Sequence, residues 1–118
     1  MDRKLLGRWG EAQAAEYLRK KKYKITGMNY SCRFGEVDII AEDRKYIAFV
    51  EVKLRKNANF AQAREFVTVS KQEKVKAAAS MYLAANETDR QPRFDVIEIY
   101  APHGADGEIS INHIENAF

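Results

Sequence analysis

Between Gly35 and Arg55 the chain reads GEVDIIAEDRKYIAFVEVKLR. Within it, Asp38, Glu51 and Lys53 are residue types that can hold a hard cation and handle a proton. Successive strand side chains alternate faces, so Glu36 and Asp38 are expected on one face and Val37 and Ile39 on the other. In the next strand Glu51, Lys53 and Arg55 share one face, and Val50, Val52 and Leu54 share the opposite one. Carboxylates and a lysine then sit inside apolar runs, which is costly unless they are paired or ligate a metal. An ion pair between Lys53 and one carboxylate is one explanation. Stoichiometry offers another: three carboxylates near one lysine leave negative charge uncompensated, and a hard divalent cation would balance it.

Positioning these groups requires regular elements around them. Residues 3–22 form an expected helix, free of proline and rich in Ala, Leu, Glu, Arg and Lys, with Asp2 as N-cap. Extended segments follow over Tyr23–Tyr30, Glu36–Ala41 and Tyr46–Leu54, separated by short polar or glycine-containing joints that suit an antiparallel meander. Lys56–Val69 shows no dominant period and reads as a loop. From Ser70 to about Asn86 apolar residues recur at helical spacing, and Ser70 with Glu73 matches a capping box. Phe94–Tyr100 and Glu108–Ile114 alternate as two further strands. The order suits a sheet flanked by helices, the second helix crossing between parallel strands.

Other charged and aromatic residues have simpler explanations. Glu11 falls on a small-residue stripe with Gly7, Ala14, Ala15 and Leu18, so it needs a partner: an arginine in a buried salt bridge, or a metal. Trp9, Tyr17 and Tyr23 read as core packing. His103 and His113 have no ligand spacing and read as surface or satisfied core histidines, and Asp95 reads as a turn or cap residue opening its strand. Arg33 and Arg55 flank the proposed site, and arginine suits bidentate phosphate contact.

Bulk properties set the frame. The 118 residues fit one domain, residues 1–118, and 46% hydrophobic with 31% charged residues suits neither a membrane span nor a disordered chain. The start lacks the pattern of a secretory signal and no apolar run reaches spanning length, so a cytoplasmic address without membrane partners is expected. A single cysteine, Cys32, excludes an intrachain disulfide and a thiolate metal cluster. Net charge is +3, with basic clusters at Lys20, Lys21, Lys22 and Lys24 and at Lys53, Arg55 and Lys56. These are compatible with nucleic acid, although composition alone favours solvated helix ends.

Asp38, a twelve-residue gap and Glu51-Val52-Lys53 resemble the core of the PD-(D/E)XK nuclease superfamily. GRWGEAQAAEYL, NYSCRFGEVDIIAED, FVEVKLR and FDVIEI, together spanning Gly7 to Ile99, resemble the bacterial YraN family of uncharacterised predicted endonucleases; archaeal Holliday junction resolvases are similar more distantly. The chain departs from the family at Phe60-Ala61, where Phe-Gly is usual, which spares the acidic residues. The resemblance implies a three-layer α/β/α domain of restriction-endonuclease-like fold with a mixed five-stranded sheet. It also implies an endonuclease dependent on magnesium or manganese and acting on DNA, branched forms included and RNA left open. Asp38, Glu51 and the Val52 carbonyl would hold the metal, Glu11 and Glu36 would complete or support the shell, and Lys53 would orient the attacking water. Lys71 would meet a phosphate, with Arg33 and Arg55, and a homodimer would supply the two sites that cutting both strands requires. The rival readings are a non-catalytic nucleic-acid-binding or assembly domain that keeps this fold, and a small metal-binding regulatory protein.

Overall fold

A computed structural model describes residues 2–56 and 67–118. Helix α1 spans Arg3–Lys20, and the Asp2 side chain caps it by accepting the Leu5 amide at 2.8 Å. It ends without glycine: Lys22 adopts φ +73, with Lys22 N–H donating to the Arg19 carbonyl and Tyr23 N–H to that of Leu18. This is a Schellman closure carried by a lysine in the left-handed region. Strands β1 (Lys24–Cys32), β2 (Gly35–Glu42) and β3 (Tyr46–Arg55) follow, then helix α2 (Val69–Ala85), strand β4 (Gln91–Tyr100), a short 3-10 turn and strand β5 (Ser110–Ile114).

The sheet order is β1-β2-β3-β4-β5. β1, β2 and β3 form the expected antiparallel meander, β3 and β4 run parallel, and β4 pairs antiparallel with β5. The parallel pair flanks α2 in sequence, as a helical crossover requires. Each sheet face carries its own core. On one, Ala14, Ala15 and Leu18 of α1 meet Ile39, Ala41, Ala48, Val50, Ile97 and Ile99; on the other, Val75, Ala78 and Ala79 of α2 meet Val37, Ile40, Ile47 and Phe49. The result is a three-layer α/β/α arrangement around a mixed five-stranded sheet. Among the described residues no helix is long and apolar enough to cross a membrane.

Several local expectations are corrected. α2 starts at Val69 with Thr68 as its cap, the threonine hydroxyl accepting the Lys71 amide at 3.1 Å, so Ser70 lies inside the helix and forms no capping box. Thr68 wins because its own backbone is extended, the geometry an N-cap needs. On α1, Gly7 is exposed and Gly10 takes its place on the small-residue stripe, against Leu54 and Ile99. Asp95 lies in mid-strand with 0% exposure, not at a turn. The loop expected over Lys56–Val69, including Phe60-Ala61, falls largely outside the described residues.

Candidate active site

The β2–β3 ladder runs from Glu42↔Ile47 to Ile39↔Val50, and its register is not continued at Asp38. There the Val52 amide donates to Asp38 Oδ2 at 2.9 Å, a side chain taking the place of a strand carbonyl. The N–H and C=O of one strand residue point to the same lateral side, so the Val52 carbonyl is directed toward the same opening. Alternation also slips here: Val37 packs in the α2-side core, whereas Ile39 packs in the α1-side core. The expectation that these two share a face is therefore wrong. The break in regular pairing turns the Asp38 carboxylate toward β3 instead of squarely onto one face.

Glu51 is next along β3 after the last paired residue and is 5% exposed. Lys53 Nζ lies 3.5 Å from its Oε1 and Lys71 Nζ 3.8 Å from its Oε2. Lys71, on the first turn of α2, also reaches Glu36 at 3.6 Å. The structure thus brings Glu36, Asp38, Glu51, Lys53 and Lys71 together. The second lysine was expected at a phosphate, not within the acidic cluster, and it reduces the uncompensated charge that the sequence suggested. Three carboxylates still outnumber two ammonium groups.

Electrostatics record the strain. Burial pushes the Asp38 carboxyl above its ordinary value, opposed by the Val52 amide and by Lys71. Burial and then the charge of Asp38 push Glu51 up from 4.5 to about 7, against the pull of Lys71 and Lys53. Two adjacent buried carboxylates that resist ionising together are the condition a bound cation relieves. Glu51 Oε2 is buried without a hydrogen-bond partner, as is Glu11 Oε1 on α1. Those orphaned oxygens and the hard-oxygen donor set of Asp38, Glu51 and the Val52 carbonyl fit magnesium or manganese.

Glu11 sits farther out. Its carboxyl is raised, first by burial, then by Asp38 and Glu36 across the sheet, while the Asn29 side chain and Arg8 lower it. Among the described residues no three acidic, histidine or cysteine side chains converge at metal-ligand spacing, so Glu11 does not join Asp38 and Glu51 as a direct triad. Nor, among the described residues, does an arginine salt bridge hold it there within 4.0 Å. Arg33 is exposed at the β1–β2 turn, in the same groove as Glu36 and Lys71. Arg55 lies at the far end of β3, paired in register with Tyr100, whose hydroxyl is raised above its ordinary value by its hydrogen bond to Glu98 and by burial, with Arg55 opposing.

Two polar clusters escaped the sequence reading. Asp95 accepts from Arg93 Nε at 2.9 Å and Nη2 at 2.8 Å, from the Asn116 amide at 3.1 Å, and lies 2.8 Å from His113 Nε2. Arg93 also donates to the Tyr23 hydroxyl at 2.6 Å. His113 is thus a satisfied core histidine, as expected. Buried Glu98 accepts from Tyr100 at 2.5 Å and Asn112 at 2.9 Å. Alternation in FDVIEI was the available signal: it sets Asp95 on the face of Ile97 and Ile99, where a charge demands partners.

The class these features define is an α/β/α domain with an acidic cluster at an opening in its mixed sheet. Within that class, residues 10–99 match the model described as "Uncharacterised protein family UPF0102". A UPF0102 protein of Caldanaerobacter subterraneus subsp. tengcongensis is 44% identical over 100% of this chain and 98% of its own length. Those of Syntrophomonas wolfei and Clostridioides difficile are 46% identical over 96% of each chain and 44% identical over 100% of each. The chain belongs to the UPF0102 family, which agrees with its resemblance to YraN proteins.

Proposed function

We propose that this protein is a divalent-metal-dependent endonuclease of restriction-endonuclease-like fold, hydrolysing phosphodiester bonds in DNA. The observation that carries this reading is the pairing of Asp38 and Glu51 where β2 and β3 part, both carboxyls raised, with Lys53 beside Glu51 Oε1 and Glu51 Oε2 buried without a hydrogen-bond partner, 3.8 Å from Lys71. Magnesium or manganese bound there supplies Lewis-acid stabilisation of the charge that develops on the phosphate. Asp38, Glu51 and the Val52 carbonyl hold it, and Glu11 supports the shell from α1. Lys53 leaves its contact with Glu51 to orient the attacking water and to stabilise the pentavalent phosphorus by charge. Water forms the new P–O bond in line with the one that breaks, and Lys71, Arg33 and Arg55 meet neighbouring phosphates.

A second reading has its own observation: Lys53 and Lys71 both contact Glu51, as they would in a structural ion-pair network of a non-catalytic nucleic-acid-binding or assembly domain. Incubation with linear, branched and single-stranded DNA, and with RNA, separates the two. Cleavage in magnesium or manganese that chelator abolishes supports the nuclease; salt-sensitive binding with no cleavage of any substrate favours the second reading.

A further inference from the structure

The turn between β1 and β2 ends in Arg33, Phe34 and Gly35. Phe34 remains 50% exposed, and the Arg33 guanidinium lies 5.2 Å from the centre of its ring. The turn borders a groove of about 480 Å³ that Glu36, Lys71 and Lys74 also line. That volume lies within the roughly 300–1,000 Å³ of ligand clefts. The position of the tip is fixed, because a Cβ at Gly35 would collide with the main-chain carbonyl of Lys74. The hairpin is therefore seated directly on the backbone of α2. Arg33, Lys71 and Lys74 place three cations against the single carboxylate of Glu36, and Lys71 links the groove to Glu51 at 3.8 Å.

A ligand suited to this groove offers a flat apolar face to Phe34 and negative charge to the cations, and it extends toward Glu51. A nucleotide has both features. Inside a regular duplex both faces of every base are covered by its stacked neighbours, so away from a duplex end a base that meets an aromatic ring face to face must have left the stack. We infer that the groove is a subsite for an unpaired nucleotide, with Phe34 stacking on the base and Arg33, Lys71 and Lys74 holding its phosphates. The inference rests on the proposed nuclease reading and deepens it: the substrate carries a single-stranded or distorted segment next to the scissile bond.

The test is fluorescence-anisotropy binding of a blunt DNA duplex and of the same duplex with a short single-stranded extension, in calcium to suppress cleavage, for wild type, Phe34→Ala and Phe34→Trp. Stacking on one aromatic side chain is lost on the order of tenfold or more in affinity. Phe34→Ala should therefore weaken binding of the extended DNA by about tenfold and of the blunt duplex by about twofold or less. Phe34→Trp should keep the preference, and 2-aminopurine in the extension should be quenched by wild type and not by Phe34→Ala. Equal effects on both DNAs, or none on either, overturn the subsite while leaving the nuclease reading intact. Wild type that binds neither DNA at low salt overturns the nuclease reading, and the subsite with it.

Discussion

Burial favours the neutral forms of Asp38 and Glu51, whereas the proposed cation would need them charged. Glu51 is raised from 4.5 to about 7, so between those values the folded chain holds a proton that the unfolded chain has released. Stability that is full below about pH 4.5 is therefore lost as pH rises toward 7, by roughly 3 kcal/mol at about 1.4 kcal/mol per pH unit. In chelator the unfolding temperature should fall over that window. Glu51→Gln should flatten the fall, and saturating magnesium or manganese should reverse it; an undiminished fall in Glu51→Gln contradicts the assignment. Asp38→Asn removes an anionic ligand, so calorimetric manganese affinity should drop at least about tenfold, with cleavage dropping in parallel. Glu11→Gln should weaken metal binding with little change in unfolding temperature, because among the described residues no arginine lies within salt-bridge distance of it. A large stability loss at unchanged metal affinity would instead give Glu11 a purely structural role. The residue types of the site were legible because charge in the middle of GEVDII and FVEVKL needs a partner. The engagement of Lys71 with Glu36 and Glu51 was not, because contacts across a crossover helix leave no local periodicity.

The elements hold this site through features that carry their own costs. Lys22 closes α1 in the left-handed region, where a side chain costs about 1 kcal/mol and glycine does not. Lys22→Gly should raise stability by about 0.5–1 kcal/mol in urea unfolding, without touching metal binding. The Arg93–Asp95–His113 cluster is a structural counterpart to the acidic site, and it lies on the other face of the sheet. Against the upward push of burial, His113 and then Arg93 hold the Asp95 carboxyl below its ordinary value, so its contribution to stability is present above that value and lost as pH falls through the lowered one. Asp95→Ala leaves Arg93 buried and short of its main partner, and should cost on the order of 3 kcal/mol or more. Metal affinity per folded molecule should be unchanged. Element type and order followed from hydrophobic period alone, since the meander, α2 and the last two strands each repeat clearly. Asp2 was legible as the cap of α1, but the start of α2 was not: Thr68 or Ser70 could each begin it by composition, and only backbone geometry separates them. The slip at Asp38 was also hidden, because alternation assumes an unbroken ladder.

At the scale of the whole molecule, a net charge of +3 gives weak general attraction to nucleic acid, and the cations beside the groove give it a direction. If Arg33, Lys71 and Lys74 each neutralise one phosphate of an unpaired segment, log affinity for single-stranded DNA should fall with log salt at a slope of about −2, and each alanine substitution should remove about 0.7 from that slope. Both helices press on a single sheet whose central strands diverge at Asp38, so the site lies in the middle layer and is reached from the α2 side through Glu36 and Lys71. On the proposed reading metal chemistry and phosphate binding would meet at one opening, and the charge of Lys53 would serve catalysis more than ligation. The most direct test is the single-turnover cleavage rate, in manganese, of whichever DNA wild type cuts, compared with that of Lys53→Ala at saturating metal. The account predicts a fall of about 10² or more with manganese bound as tightly as in wild type or more so. Equal rates for the two proteins would contradict it.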